Sequence, residues 1–531
     1  MVSPKRRHGP AAAGGAGLAI MLPVPTVTAA AVALLFSPAC RAELRVEPSA
    51  QFQQTYTDNV SLAPPDQARS LWISELTPGI TVRDDSPRLQ LLAAYEARLY
   101  AYSRDDPAAT QSLSQNFNGK MHAEAVSGLL FLDAAGAYRQ QAISAFGPPV
   151  AQNGSDGYLT DNRANVKSYS VSPYLTHSFG RLMTGELRYT HDVVSADSAG
   201  FSHSNADSVQ ASLGGGIGAR IGWGANYYRQ RLEDGTRPTT ISGNTGVNAS
   251  YLVAAPLRLT ASIGRDQYKY ESQVGDSPTG KSWSVGFAWT PSSRTSASAS
   301  FGKRFFGDSY HLDAVHRTRA TAWSVRYATD VTTSRDQFLL PASVSTFELL
   351  DRMYAGAIAD PARRRQAVDA FIRANGLPLA LTDSVNYLSN RYILQKQFNL
   401  SMAWTLAHSV LVLSLTDERR NALSSVQSDS ALLGSRFGSL NDNSHQQGGS
   451  ATFNYRLSPR SSVNLSASFN KADSLVQQAS SINRAFRVAL TRQLGRQLTG
   501  DLELRRQTGS VAGAGGGYRE NAIVFHLNQR F

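Results

Sequence analysis

The chain has 531 residues, of which 17% are charged and 42% are hydrophobic, with one cysteine and a formal net charge of +12 at pH 7. The charged fraction is below the roughly 25% that is typical of soluble globular proteins, while a mean hydropathy of −0.27 argues against a multi-helix membrane protein. A single cysteine excludes a disulfide framework and a cysteine-based zinc site. The length suits either several soluble domains or one large barrel.

Residues 1–42 have the pattern of an export signal. Positive residues at 5–7 precede an apolar stretch that is clearest at 26–36, and small residues follow, with Cys40 at position −3 of the expected cleavage site. This order of features predicts that the segment is removed before Glu43.

Two alternatives stay open at this end of the chain. Residues 11–36 are long enough to form a transmembrane anchor, although the glycines and prolines within them weaken that interpretation. Cys40 is a weak candidate for lipid attachment, because Ser37 stands where a lipoprotein signal has a large aliphatic residue. If cleavage follows Ala42, the mature chain contains no cysteine.

From Leu44 to Phe531 the sequence alternates repeatedly between apolar and polar residues. One such segment places Trp283 and Phe287 on one face and Ser282 and Gly286 on the other. Side chains point to opposite faces at successive strand positions, so this period predicts strands with one apolar and one polar face. A soluble sandwich has the same alternation, and three further features favour a membrane barrel.

The first feature is the polar face, which carries charges that would be costly to bury unpaired in a dry core. The second is the placement of aromatic residues near strand ends, as in interfacial girdles. The third is the alternation of tight turns with longer polar loops. The candidate lumen-facing basic residues are Arg98, Arg188, Arg220, Arg258, Arg326, Arg456, Arg487 and Arg505. The aromatic residues are Trp72, Tyr189, Tyr227, Trp289, Trp404 and Tyr455.

These patterns predict an all-β protein, a transmembrane antiparallel β-barrel of about 18–22 strands over residues 43–531. The best count is 22, and the turn phases agree only if a poorly patterned strand lies in residues 337–349. Pro341 weakens the prediction of that strand, because proline cannot donate a hydrogen bond to a neighbouring strand. If that strand and the first strand are left out, the count is about 20.

Residues 275–282 read GDSPTGKS and match the phosphate-loop pattern. That motif binds phosphate only between a strand and a helix, whereas here an alternating strand follows directly. We therefore interpret the segment as a loop between two strands and expect no nucleotide.

A helical insert interrupts the barrel pattern at 350–385, with its helix in Asp360–Pro378. Asp360 suits an N-cap, Pro361 suits the first turn and Gly376 suits the C-terminal stop. Ala367, Val368, Phe371 and Ile372 form a short apolar stripe on this helix. The insert is predicted to lie on the outer side of the membrane or to fold into the lumen. The barrel wall or another loop is one partner for the stripe, and a plug or gate at the barrel mouth is the other. The candidate gate residues are Arg363, Arg364, Arg365, Val368, Phe371 and Ile372.

The chain ends in a strand pattern whose apolar face includes Ile523, Phe525, Leu527 and Phe531. A terminal aromatic residue of this kind resembles the signal that outer-membrane assembly machinery recognises. We therefore expect Phe531 to act as the assembly signal.

The sequence has no HExxH or GxSxG motif and no metal-type histidine spacing, so we expect no enzyme activity, cofactor or metal site. Removing Lys5, Arg6, Arg7 and Arg41 with the signal leaves a net charge of about +8. The lumen arginines either attract a polyanion or form a balanced network of ion pairs that fills the lumen. Both interpretations stay open.

The chain resembles the PEP-CTERM system-associated outer-membrane proteins. The resemblance rests on residues 56–64 (YTDNVSLAP), residues 76–80 (LTPGI), the Asp360–Pro378 helix and Phe531. It implies an outer-membrane barrel linked to exopolysaccharide export and to exosortase-type sorting, and it supplies no catalytic residues.

The leading functional expectation is a porin-like conduit or assembly factor for a secreted polysaccharide. The alternative is a structural or adhesive barrel with a filled lumen, whose loops bind surface polymer. The expected partners are outer-membrane lipid and lipopolysaccharide, the assembly machinery and an acidic exopolysaccharide, with no nucleic acid and no nucleotide.

Overall fold

The computed structural model describes residues 44–104, 111–150, 161–198, 200–201, 203–216, 220–235, 239–269, 279–339, 350–351, 354, 358, 360–374, 386–424, 440–441, 443–512 and 516–531. The predicted export signal and the cleavage site therefore lie outside the described residues. The barrel belongs to one compact unit, Glu43–Phe531.

Twenty-two strands form a single sheet in which each strand pairs antiparallel with the next. The first half comprises β1 (Arg45–Thr57), β2 (Leu71–Asp85), β3 (Leu89–Tyr102), β4 (Leu113–Val126), β5 (Leu130–Ala142), β6 (Arg163–Phe179), β7 (Met183–Ala196), β8 (Ser204–Gly215), β9 (Ile221–Asp234), β10 (Thr240–Ala254) and β11 (Leu257–Lys269). The second half comprises β12 (Thr279–Ser292), β13 (Thr295–Arg304), β14 (Gly307–Arg317), β15 (Thr321–Thr333), β16 (Tyr392–Thr405), β17 (Ser409–Ala422), β18 (Asn443–Ser458), β19 (Ser461–Ser474), β20 (Ser480–Gln493), β21 (Leu498–Ser510) and β22 (Gly517–Arg530).

The sheet closes on itself because β1 also pairs with β22, from Ser49 opposite Arg530 to Thr57 opposite Ala522. Closure leaves no unpaired strand edge, which is the condition for a sheet to span a bilayer. The predicted transmembrane barrel and its best count of 22 strands are confirmed.

The structure does not have the predicted strand at the start of residues 337–349, and the 22 strands are reached in another way. Residues 337–339 belong to a short helix, Ser334–Leu339, and the rest of that segment lies outside the described residues. The number of strands is even because residues 295–317 form two short strands, β13 and β14. A tight turn joins them, in which Arg304 pairs with Gly307. Gly307 has a φ of 111°, a conformation that glycine adopts without steric cost.

The phosphate-loop match does not lie before a helix. Strand β12 begins at Thr279, so Lys281 and Ser282 are strand residues paired with β11. The helix whose N-terminus would hold a phosphate is replaced by strand, and residues 275–278 lie outside the described residues.

The outer surface of the barrel is apolar. The six aromatic residues named from the sequence are all exposed on it, and so are Leu187, Val247, Val285, Leu415 and Leu504. Apart from the tight turn between β13 and β14, the short turns lie at one end of the barrel and the longer loops at the other, as in barrels of the bacterial outer membrane. The protein is an outer-membrane β-barrel, with both termini of the barrel at the periplasmic end. None of the described helices is long and apolar enough to cross a membrane.

Candidate functional site

The predicted lumen arginines lie mostly on the inner face of the wall. Because neighbouring strand residues face opposite ways, an arginine beside an exposed apolar residue faces inward. This holds for Arg98, Arg188, Arg258, Arg456, Arg487 and Arg505, and for Arg326, which lies three residues after exposed Trp323.

Arg220 differs from the prediction. Its guanidinium carbon lies 5.4 Å from the ring centroid of Tyr251, and the Tyr251 side chain is exposed on the outer surface. Arg220 precedes the first residue of β9, so strand alternation does not fix its direction. It therefore lies at the periplasmic turn outside the lumen.

Some of the inward arginines are neutralised by acidic neighbours and others are not. The ion pairs join Arg98 to Glu75 (3.6 Å) and Glu96 (3.1 Å), Arg188 to Asp133 (2.7 Å) and Glu186 (3.1 Å), and Arg505 to Glu520 (2.8 Å). Arg326 and Arg456 are exposed, and no acidic side chain in the described part of the chain pairs with either of them. Asp313 stands opposite Arg326 in the β14–β15 register, although no ion pair joins them. The wall therefore combines ion-paired arginines with exposed arginines outside any ion pair among the described residues.

The long loop, residues 334–391, begins by crossing to another part of the wall. Its entry helix, Ser334–Leu339, places Arg335 in a buried ion pair with Asp192 of β7. The Arg335 Nε also donates a hydrogen bond to Ser204 Oγ of β8 (2.9 Å). Phe338 is 1% exposed and packs against Val166 and Val194 with their neighbours. The entry helix therefore links β15 to β6, β7 and β8.

The end of the long loop packs with other extracellular loops. Tyr387 is fully buried, and its hydroxyl donates a hydrogen bond to the Asn441 carbonyl oxygen (3.2 Å). The guanidinium carbon of Arg420, itself paired with Glu418, lies 4.7 Å from the Tyr387 ring centroid. Burial raises the pKa of Tyr387, so its hydroxyl keeps its proton and remains a donor.

The lumen helix, Pro361–Ala374, lies inside the barrel at its periplasmic end. Asp360 caps it, because its Oδ1 accepts a hydrogen bond from the Arg363 backbone N–H (3.3 Å). Val368 and Ile372 are buried at 0% and 5% exposure. They pack on a group of inward residues that we call the wall patch: Ala322, Ala403, Val410 and Val412.

The position of the wall patch locates the helix. Thr405 and Ser409 flank the periplasmic turn between β16 and β17, so the patch lies next to that turn. The long loop thus enters from the extracellular side and reaches the periplasmic end of the lumen. The helix was predicted to lie either on the outer side of the membrane or in the lumen, and it lies in the lumen. Its contacts are at the periplasmic end, far from the extracellular mouth where a plug or gate was expected. The side chain of Phe371 lies outside the described residues.

The three predicted gate arginines have different surroundings. Arg365 Nη2 donates a hydrogen bond to Gln90 Oε1 of β3 (2.6 Å). Arg364 Nε binds Asp351 Oδ1 within the long loop (2.8 Å), and Arg363 is 83% exposed near Asp360. The segment therefore contacts β3 as well as β16 and β17.

A further contact joins the long loop to β14. The guanidinium carbon of Arg317 lies 5.2 Å from the ring centroid of Tyr354. Burial raises the pKa of Tyr354, so the ring stays neutral and its face can attract a cation.

The wall patch was not predicted from the sequence, although the sequence contains a pattern that indicates it. Residues 409–415 read SVLVLSL, an apolar run in which Val410 and Val412 break the expected alternation. A strand that is apolar on both faces is covered on both faces. That run was therefore a marker of something packed inside the lumen.

The motif at residues 56–64 lies at the β1–β22 seam, on the extracellular side. Thr57 Oγ1 donates a hydrogen bond to Glu520 Oε1 (2.9 Å), and Glu520 also binds Arg505. The Asn521 backbone N–H donates to Asp58 Oδ1 (2.7 Å). Asn59 Nδ2 bonds the carbonyl oxygens of Ala63 (2.7 Å) and Arg519 (2.9 Å). These contacts assign the motif a structural task, which is to fasten the first strand to the last.

Among the described residues, no group of three or more His, Cys, Asp or Glu side chains is arranged to hold a metal ion. No protein-family model and no curated protein matches this sequence.

Several solved structures are similar to this one. The FrpB iron transporter of Neisseria meningitidis (F5-1 variant) aligns over 91% of this chain and 82% of its own, at 10% identity and a TM-score of 0.47. The siderophore receptor PirA of Pseudomonas aeruginosa aligns over 92% and 80%, at 10% identity and a TM-score of 0.43. The ferric preacinetobactin receptor BauA of Acinetobacter baumannii aligns over 91% and 80%, at 11% identity and a TM-score of 0.45. At such identities and scores nothing about a ligand follows for this chain.

Proposed function

We propose that the protein is a gated outer-membrane conduit for an anionic polymer, closed at rest by the long loop. The observation that carries this proposal is the seating of the lumen helix on the wall patch at the periplasmic end of the lumen. An extracellular loop that served only as surface decoration would have no reason to reach that end.

The strength of this contact suits a gate. Burying one aliphatic side chain of this size contributes roughly 1.5–3 kcal/mol, so Val368 and Ile372 together hold the helix by about 3–6 kcal/mol at most. A few kcal/mol keeps the minor state of a two-state equilibrium rare yet accessible. The polar contact of Arg365 with Gln90 exchanges readily for contacts with water, so it adds little to the barrier.

The lumen wall offers the charges that an anionic polymer would use. Arg326 and Arg456 face the lumen, are exposed and have no acidic partner among the described residues. Exposed arginines outside ion pairs favour anions along a wet lumen while binding them weakly enough for release. We propose an acidic exopolysaccharide as the polymer, and a link to PEP-CTERM and exosortase-type sorting. Both rest on the resemblance at residues 56–64 and 76–80.

Conductance of the purified protein in a planar bilayer tests the proposal. In the double variant Val368→Asp/Ile372→Asp, two carboxylates must leave the apolar wall patch, so the helix detaches and conductance rises several-fold. Ala367→Asp is the matched control, because Ala367 is on the same helix but exposed, and its conductance stays at the wild-type level. The opened pore should prefer anions to cations.

A deletion of residues 361–376 removes the helix itself and should conduct at least as well as the double variant. If both variants fold as heat-modifiable barrels and conduct no better than wild type, the helix is no gate and the conduit proposal fails.

A second candidate function is a structural or adhesive barrel that binds surface polymer through its loops. The observation that favours it is the apolar cluster of Phe146, Leu440, Ala472 and Ala512, which joins the loop after β5 to the loops before β18 and before β22 and to β19. A barrel whose extracellular side is closed by such packing would not conduct even after the lumen helix is removed. The same conductance experiment therefore separates the two functions.

A further inference from the structure

A second basic surface lies on the outside of the barrel. We call it the outer basic cluster, and it consists of Arg229, Arg265, Lys269, Lys281 and Lys303. These residues belong to β9, β11, β12 and β13, and all of them are exposed.

The cluster has a constant position relative to the apolar surface of the barrel. Four of its five cations lie two residues from exposed apolar side chains on the same face, always toward the extracellular end. The pairs are Tyr227 and Arg229, Ile263 and Arg265, Trp283 and Lys281, and Phe301 and Lys303. In a barrel that spans the outer membrane, this level is the headgroup layer of the outer leaflet.

The cluster is not neutralised by the protein. Arg265 and Lys281 stand directly opposite each other in the β11–β12 pairing, and like charges in that position destabilise a sheet. Of the nearby acids, Glu233 pairs with Arg231 (2.7 Å) and Asp266 faces the lumen with Arg304 (3.0 Å). Asp308 stands opposite Lys303 at the edge of the cluster, away from the other four cations. Within the described part of the chain, no acidic side chain pairs with any member of the cluster.

Four of the cations lie around a hollow in the outer wall of about 1020 Å³, lined by Tyr227, Arg229, Arg265, Lys269, Lys281 and Trp283 among others. Gly243 lies between Arg229 of β9 and Gln267 of β11 in the strand register. Because Gly243 has no side chain, the space between these strands stays open. The hollow therefore has cations at its extracellular side and aromatic rings toward the bilayer.

We propose that the outer basic cluster binds the phosphates of an outer-leaflet glycolipid, the lipid A part of lipopolysaccharide. Guanidinium and ammonium groups form strong charge-assisted hydrogen bonds with phosphate oxygens. Several cations around one hollow match a headgroup with more than one phosphate. The rings of Tyr227 and Trp283 contact the adjoining apolar part of the lipid, which free phosphate lacks. Lys281, the lysine of the accidental phosphate-loop match, thus faces a lipid phosphate instead of a nucleotide.

Binding to the full mature chain in detergent micelles tests this inference. The probes are lipid A with two phosphates, its monophosphoryl form with the same acyl chains, and inorganic phosphate. Wild type binds diphosphoryl lipid A most tightly, and Arg265→Gln/Lys281→Gln weakens this binding by at least about tenfold, as expected for losing two charged contacts. The control is Arg220→Gln/Arg294→Gln, which removes two exposed charges at the periplasmic turns of the same wall region and leaves binding unchanged.

Two single variants keep the test decisive if the double variant folds poorly. Lys281→Gln should weaken lipid A binding several-fold, and Lys281→Arg should retain it. Equal binding of the diphosphoryl and monophosphoryl lipids by wild type and variants would mean that acyl chains alone bind there, and would overturn the inference. Inorganic phosphate that displaces lipid A at a similar concentration would also overturn it, because the site would then bind a free ion.

Discussion

The two ends of the lumen differ in the contacts that hold the groups around them. Toward the extracellular side, charged groups are buried in pairs, such as Arg505 with Glu520 and Arg335 with Asp192. Toward the periplasm, the lumen helix rests on an apolar patch and Arg456 is exposed. A buried charge that loses its partner is strongly destabilising, whereas apolar contacts are non-directional. The extracellular end is thus fixed in one arrangement, and the periplasmic end can move.

The largest effect is expected at the extracellular end. Arg505→Ala leaves Glu520 fully buried without its guanidinium partner, which costs about 3–5 kcal/mol. Urea unfolding of the barrel in detergent should show a lower midpoint. Arg456→Ala is the control, because Arg456 lies exposed at the periplasmic end and forms no ion pair among the described residues, and the midpoint should move little. Equal midpoints for the two variants would contradict the contrast between the two ends.

A smaller effect is expected at the periplasmic end. Arg317→Ala removes the cation that lies over the ring of Tyr354, a contact worth roughly 0.5–1 kcal/mol. The long loop should open about two- to fivefold more often, seen as more frequent conductance events in single-channel recordings, while the urea midpoint stays unchanged. A lower urea midpoint without extra openings would show that this end is as rigid as the other.

The smallest effect on stability is expected at the C-terminus. Phe531 is 67% exposed, and its backbone N–H donates to the Pro48 carbonyl oxygen (3.0 Å). Deleting it should change the unfolding free energy by less than about 0.5 kcal/mol, yet reduce the amount of folded barrel in cells. Phe531→Tyr keeps an aromatic end and should assemble normally. An unchanged level of heat-modifiable barrel after the deletion would exclude Phe531 as the assembly signal.

The fold could be predicted from the sequence because membrane strands follow a simple rule. The outer face must be apolar and the inner face meets water, so alternation marks each strand and polar turns mark its ends. The rule failed between residues 294 and 407. There the tight turn before Gly307 separates two short strands that the prediction did not count separately. The apolar residues of the entry helix, such as Phe338, were also predicted to be part of a strand.

The site was less predictable because it depends on contacts between distant segments. The helix at Pro361–Ala374 follows from its cap and composition. Val410 and Val412 indicate that the inner face of β17 is covered, but not which distant segment covers it. The direction of Arg220 likewise depends on where β9 begins, within a residue. Ion pairs such as Arg335 with Asp192 join residues 143 positions apart, and nothing in one sequence indicates such partners.

The seam between β1 and β22 has a consequence for the order of assembly. Thr57 and Glu520 are 463 positions apart, and the β1–β22 pairing to which they belong is the least local in the sheet, so it forms late. Until then both terminal strands expose open edges, which attract other chains. A hydrogen-bonded motif at the extracellular tip of β1 gives the arriving last strand several simultaneous partners. Residues 56–64 therefore influence how long the vulnerable open sheet persists, a kinetic property that a stability measurement on the finished barrel would not detect.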